Sequence, residues 1–266
     1  MKFEKIMLDE EAELWTYIAD KNPWYKRKAI LVIPGGGYEF VDNFVEGDPV
    51  AQAFLPYGFD AFVLRYSVNK MKNKFPDQLI QATKAMKHIR DNAEEYGIDP
   101  EEVYAVGFSA GGHLCGSLAT MWMLPELQEA VPMPYGYNKP KGVVLVYPVV
   151  TGNPEFSHQD SFRNLLCNPN PTAEELASMS LENLVDENTV PAYIVHGGAD
   201  VIVPVENSLL LATAYSKAKI PFELHIYPNR HHGFGLGNEV TGQAECHIGE
   251  NISQWVEQAV LWMKNL

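Results

Sequence analysis

Basic residues are in short supply in this chain. Its 266 residues include 20 Lys and Arg against 34 Asp and Glu, for a formal net charge of −14. Nucleic-acid binders present a basic stripe or patch. The densest basic run here, Lys26-Arg27-Lys28, is short and reads as a solvated strand entrance. The acidic balance also speaks against anionic membranes and polyanionic substrates, so neither nucleic acid nor membrane is expected as a partner. Cysteine is scarce as well: Cys115, Cys167 and Cys246 are odd in number and lack metal-ligand spacing. A disulfide framework is therefore not expected, and a reducing compartment fits. No H-E-x-x-H or comparable set occurs, so no metal or other cofactor is expected. No run approaches the roughly 18 apolar residues of a spanning helix. Glu4, Asp9, Glu10 and Glu11 interrupt the N-terminal segment, which does not read as a signal peptide. The expected location is the cytoplasm.

What the chain does have is alternation. Short apolar runs at 29–34 (AILVIP), 61–66 (AFVLRY), 103–108 (VYAVGF), 192–196 (AYIVH) and 222–227 (FELHIY) read as strands, with another (VVLVYP) inside 141–150. Between them lie helical stretches at 76–96, 110–120, 205–219 and 251–266. The first opens at Pro76, repeats Leu79, Ala82, Met86 and Ile89 at helical spacing, and stops at Gly97. Strands alternating with helices predict an α/β fold: a mostly parallel central sheet with helices on both faces. The length suits one domain over 1–266. Two segments break the rhythm, a proline-rich insertion near 121–140 and a polar one near 151–188 with a short helix expected at 172–178. Insertions of this length are often lids or binding loops.

One pentapeptide carries chemistry. Gly107-Phe108-Ser109-Ala110-Gly111 matches G-x-S-x-G, with a strand running in and a small-residue helix running out. That is the setting of a nucleophile elbow, in which a tight turn raises the serine over a helix N-terminus. There, backbone N–H groups and the helix dipole favour a developing negative charge. Upstream, Pro34-Gly35-Gly36-Gly37-Tyr38 leaves the first buried strand. Glycines let such a loop aim its N–H groups inward, and Gly36, Gly37 and Ala110 are the candidate oxyanion donors. Tyr38 either contributes to substrate binding by shaping the acyl pocket or simply packs.

An acid and a base should follow the serine in that order. Gly197-Gly198-Ala199-Asp200 leaves the C-terminal end of a strand and puts Asp200 on the ligand-binding edge of a parallel sheet. The alternative for Asp200 is a helix cap. After the last strand come His231 and His232. His232 is favoured as the base because Gly233 lets the loop turn its ring towards Ser109. The remaining histidines, His88, His113, His196 and His225 among them, read as surface, core or hydrogen-bonded residues.

The motifs PGGGY, EGDPVA, GFSAGGHL, ADVIVPVENSLL, FELHIYP and HHGFG together resemble a bacterial family of α/β-hydrolases with carbohydrate-esterase-like, acetyl-xylan-esterase-like and feruloyl-esterase-like members. The resemblance runs from about residue 26 to the C-terminus. It implies the α/β-hydrolase fold and assigns the motif roles to Ser109, Asp200 and His232. Family loops often carry two aspartates before the Val-Pro pair, whereas Ala199 stands in place of the first here, leaving Asp200. The expected activity is serine carboxylic-ester hydrolysis of small acyl groups, and the resemblance adds acetyl groups on sugars or xylo-oligosaccharides. Nothing in the motifs supports glycoside cleavage, which needs two facing carboxylates. The expected partner is thus a small ester, an acylated sugar by resemblance. The insertions leave room for a homodimer contact, for which no particular residue speaks. Phe156, His158 and Phe162 either help build an acceptor pocket or pack at the surface. The alternatives are a small amidase of the arylformamidase type, a peptidase (for which a large gating domain is missing), and a non-catalytic binding protein on the same fold.

Overall fold

The computed structural model describes residues 1–68 and 72–266. Its strands are β1 (Lys2–Met7), β2 (Glu13–Ile18), β3 (Arg27–Ile33), β4 (Phe59–Arg65), β5 (Ile98–Phe108), β6 (Val143–Val146), β7 (Ala192–Gly197) and β8 (Phe222–Tyr227). Its helices are α1 (Asp48–Phe54), α2 (Asp77–Asp91), α3 (Ala93–Tyr96), α4 (Ser109–Thr120), α5 (Pro125–Ala130), α6 (Gln159–Leu166), α7 (Ala173–Met179), α8 (Glu206–Ala218) and α9 (Trp255–Lys264). The strands form one sheet in the order β1-β2-β4-β3-β5-β6-β7-β8. Every pairing from β4 across to β8 is parallel, while β1–β2 and β2–β4 are antiparallel.

The period of two along each strand divides the core into two layers. In β3, Ala29, Leu31 and Ile33 face one layer, and Ile30 and Val32 face the other. β5 repeats this with Val103 and Ala105 against Tyr104, Val106 and Phe108. The first layer is closed by the apolar faces of α2, α4 and α8, among them Leu79, Met86, Leu114, Leu118 and Leu211. The second is closed by α1 and α9, where Trp255 meets Phe54 and Phe108 edge-on at 6.3 and 5.9 Å. The central strands are buried on both faces, which is why they read as unbroken apolar runs.

The expected α/β-hydrolase sheet is present, with differences at its margins. β1 and β2 extend it by an antiparallel edge, and β1 is too exposed to show an apolar stripe. The stretch expected as one helix over 76–96 is two, because Asn92 leaves helical geometry (φ −104°, ψ 11°) and its side chain takes the His88 carbonyl at 2.8 Å. Gly97, at φ 77°, ends the second piece. α1, α5 and α6 were not anticipated. The short helix in the second insertion is α7, fixed by a capping box between Thr172 and Glu175. Among the described residues no helix is long and apolar enough to cross a membrane.

Because the pairings are parallel, β3, β5, β7 and β8 all end at the same edge. The chain moves from β3 to β4 on one side and to β5 on the other, so the sheet changes direction between β3 and β5. Crevices form at such switch points. The second insertion is anchored beside this edge by buried Asn207 of α8. Its side-chain oxygen accepts from the Val150 and Thr151 N–H groups, and its nitrogen donates to the Phe156 carbonyl.

Candidate active site

The turn from β5 into α4 puts Ser109 at φ +52°, a left-handed conformation that costs of order 1–3 kcal/mol and is held by what surrounds it. The turn closes tightly: a Cβ on Gly107 would stand 2.3 Å from the Gly111 carbonyl oxygen, so no larger residue fits without moving the backbone. Ser109 is 8% exposed, reachable but shielded. Ala110 sits in the first turn of α4, where no intrahelical carbonyl is available to its N–H.

Three loops bring partners to this serine. His232, on the loop after β8, lies with Nε2 2.9 Å from Ser109 Oγ and Nδ1 2.7 Å from Asp200 Oδ2. A carboxylate can only accept, so Nδ1 carries the proton and Nε2 is left to accept from the Ser109 hydroxyl. His231 is exposed. Asp200 is buried, and its other oxygen accepts the Ile202 and Val203 N–H groups, both at 2.9 Å. His196 Nε2 donates to the Val203 carbonyl at 2.9 Å and stands 3.4 Å from Asp200 Oδ2. Burial pushes the Asp200 carboxyl up. Hydrogen bonds with His196 and His232, the His232 charge and the Val203 N–H more than offset this and hold it well below the usual carboxylate range.

The glycine loop after β3 runs close by. Gly36, Gly37 and Tyr38 have φ of 120°, 63° and 57°, an irregular path for which the glycines are suited. Its carbonyls are tied outward: Gly35 accepts from the Asp42 N–H, Gly36 from those of Glu39 and Phe40, and Gly37 from the Asn164 side chain. Among the described residues neither the Gly36 nor the Gly37 N–H donates to a protein acceptor. The arrangement can therefore pass a proton from a serine hydroxyl to an imidazole beside unused backbone donors.

Tyr38 is buried, and its hydroxyl meets His113 Nδ1 at 2.9 Å while His113 Nε2 donates to the Met179 carbonyl. The Tyr38 hydroxyl is thus already engaged within the protein, and the residue acts on its surroundings through its shape. Burial lowers His113 to about 4, keeping it neutral near pH 7. From α6, Phe162 packs edge-on to His113 with ring centres 5.5 Å apart. His158 lies over the glycine loop, its Cε1 3.9 Å from where a Gly37 Cβ would be. Two residues stand at the site without having been singled out by sequence. Glu46 bonds the Gly35 N–H, and Tyr147 lies against the His232 ring with centres 4.8 Å apart. Glu46 had no local signal beyond its place in EGDPVA, because an acid just before a helix usually reads as a partner of its dipole.

The BD-FAE family model matches residues 17–215. The chain is 41% identical over 217 residues to the endo-1,4-beta-xylanase B of Butyrivibrio fibrisolvens, a match covering 80% of this chain and 33% of that protein. It is 31% identical over 232 residues to the acetylxylan esterase of Xylanibacter ruminicola, covering 86% of this chain and 45% of that protein. The chain therefore spans less than half the length of these curated relatives. The solved structure of an acetyl ester-xyloside bifunctional hydrolase from Caldicellulosiruptor lactoaceticus aligns with a TM-score of 0.83 at 31% identity, over 98% of this chain and 96% of the other. With the family model matching most of its length and this sheet beneath its site, the chain belongs to the BD-FAE family of esterase-like hydrolases with the α/β-hydrolase fold.

Proposed function

We propose that the protein is a serine carboxylic-ester hydrolase that removes small acyl groups, acetyl first among them, from sugars or xylo-oligosaccharides. The observation that carries this reading is the hydrogen-bonded chain from Ser109 through His232 to Asp200, at 2.9 and 2.7 Å. In the first half-reaction Ser109 Oγ attacks the ester carbonyl carbon while His232 Nε2 takes the hydroxyl proton. Negative charge gathers on the former carbonyl oxygen, and the N–H groups of Gly36, Gly37 and Ala110 are the donors assigned to it. The intermediate collapses, the C–O bond to the alcohol breaks, and His232 returns the proton to the leaving oxygen. Water then repeats the sequence on the acyl-enzyme, with Asp200 stabilising the imidazolium in both halves.

The sugar alcohol rests on the names of the acetylxylan esterase and the acetyl ester-xyloside hydrolase alone.

The test is hydrolysis of 4-nitrophenyl acetate, butyrate and octanoate by wild-type protein and by Ser109→Ala, followed by acetate release from acetylated xylo-oligosaccharides. Acetate should be cleaved fastest, and the variant should lose activity by roughly 10,000-fold or more. A wild-type protein that cleaves no ester and resists a fluorophosphonate would sink the reading.

A further inference from the structure

Glu46 lies between the glycine loop and α1 and is 4% exposed. Its Oε2 accepts the Gly35 N–H at 2.7 Å, and its Oε1 accepts the Tyr147 hydroxyl at 2.8 Å. The Tyr147 oxygen in turn accepts the Gly235 N–H at 3.1 Å. One carboxyl therefore joins three loops: the glycine loop after β3, the loop after β6, and the loop after β8 that carries His232. It also sits close to the reacting serine. A Cβ built on Gly35 would lie 2.8 Å from both Glu46 Oε2 and Ser109 Cβ.

We propose that Glu46 is a positioning residue for the reaction at Ser109: it holds the glycine loop, Tyr147 and the His232 loop in one arrangement, and its negative charge stabilises the imidazolium that His232 becomes. The proposal rests on the triad reading given under Proposed function. Both partners of Glu46 are donors. A proton on Oε2 would oppose the Gly35 N–H, and one on Oε1 would require the Tyr147 hydroxyl to turn away. The hydrogen-bond pattern is thus that of a carboxylate, and protonation loosens one of the loops.

Several groups face this carboxyl. Asp42 lies on its own loop, Tyr66 follows β4, Tyr147 follows β6, and His232 follows β8. Burial raises the Glu46 carboxyl to about 7; Tyr147, the Gly35 N–H and the His232 charge oppose the rise, and Asp42 adds to it. Burial and the Glu46 charge push the Tyr66 and Tyr147 phenols well above their usual range, so both stay neutral donors. Glu46 therefore changes charge across the range in which His232 must work as a base.

The experiment is a pH profile of kcat and KM for 4-nitrophenyl acetate between pH 5 and 9, using wild type, Glu46→Gln and Tyr147→Phe. Fluorophosphonate labelling and a thermal melt accompany each protein. The ionised carboxylate supports the reaction, so the wild-type acid limb should contain an ionisation near 7 that Glu46→Gln lacks. At pH 8 Glu46→Gln should lose kcat about 10-fold with KM within about twofold, because the charge acts on the transition state. Tyr147→Phe keeps the ring and should lose kcat a few-fold, and it decides the matter should Glu46→Gln fail to fold. Wild-type kcat and an unchanged profile in the folded variants overturn the proposal while leaving the triad standing. A wild-type protein with no esterase activity and no labelling removes both.

Discussion

The side-chain amide of Asn164 donates a 2.8 Å hydrogen bond to the carbonyl of Gly37, and so fastens α6 of the second insertion to the glycine loop. The insertion is part of the site's framework, since Phe162 of the same helix packs on His113 behind Tyr38. Asn164→Ala should lower kcat for 4-nitrophenyl acetate by about 3- to 10-fold, because a loosened loop presents its N–H groups less well. The thermal midpoint should move little, as α6 keeps its apolar anchors Phe162 and Leu165. Unchanged kcat in the folded variant would separate the insertion from the chemistry.

The Asp200–His232 bond makes a sharper prediction. Asn in place of Asp200 offers an amide N–H to Nδ1 and so moves the imidazole proton to Nε2. In that tautomer Nε2 cannot accept from Ser109. Asp200→Asn should cut kcat by about 10,000-fold at pH 7 while the protein stays folded. Stopped-flow measurement of acetate hydrolysis with circular dichroism on the same sample checks it. A loss under tenfold would mean that Asp200 does not set the tautomer.

Sequence showed the site's backbone plan and missed its braces, for a physical reason. Ser109 and Asp200 follow buried strands, where an unbroken apolar run gives way to glycine and a polar side chain, and His232 follows the last strand. That contrast is visible in one dimension. Strands β3, β5 and β7 were legible for the same reason, because burial on both faces removes polar residues. β1 was not, since as an edge strand it carries solvent-facing charge and shows no apolar stripe. Glu46, Tyr147 and Asn164 act across separations of 11, 101 and 127 residues to Gly35, Glu46 and Gly37 respectively. No local pattern marks a contact of that range. The two helices in place of one at 76–96 had a different cause: Asn92 competes for a backbone carbonyl, which apolar periodicity does not register.

Gly36 allows a test that separates loop shape from loop chemistry. Its φ is +120°, and a Cβ there would come within 2.2 Å of the Phe40 carbonyl oxygen. Gly36→Ala should cost roughly 2 kcal/mol or more of stability through strain at this position. If the Gly36 N–H also serves the oxyanion, kcat at a temperature well below the melt should fall by about 100-fold with little change in KM. Destabilisation with normal kcat would keep the strain and remove Gly36 from the oxyanion hole.

The two buried carboxyls should pull stability in opposite directions with pH. Asp200 is held below its ordinary value of 3.8, so its contribution is present above that value and is lost as pH falls further. Glu46 is raised from 4.5 to about 7, so the folded protein holds a proton that the unfolded chain gives up. Its contribution is full below 4.5 and disappears as pH rises through 7, a change of about 3 kcal/mol. Urea unfolding of wild type and Glu46→Gln at pH 5 and pH 8 isolates this, because every other group is common to both. Wild type should lose ground to the variant between the two values, and parallel behaviour would place Glu46 in no special environment. If Glu46 positions the site as proposed, the wild-type protein should become less stable and more active as pH rises through 7, and Glu46→Gln should lack the Glu46 share of both changes.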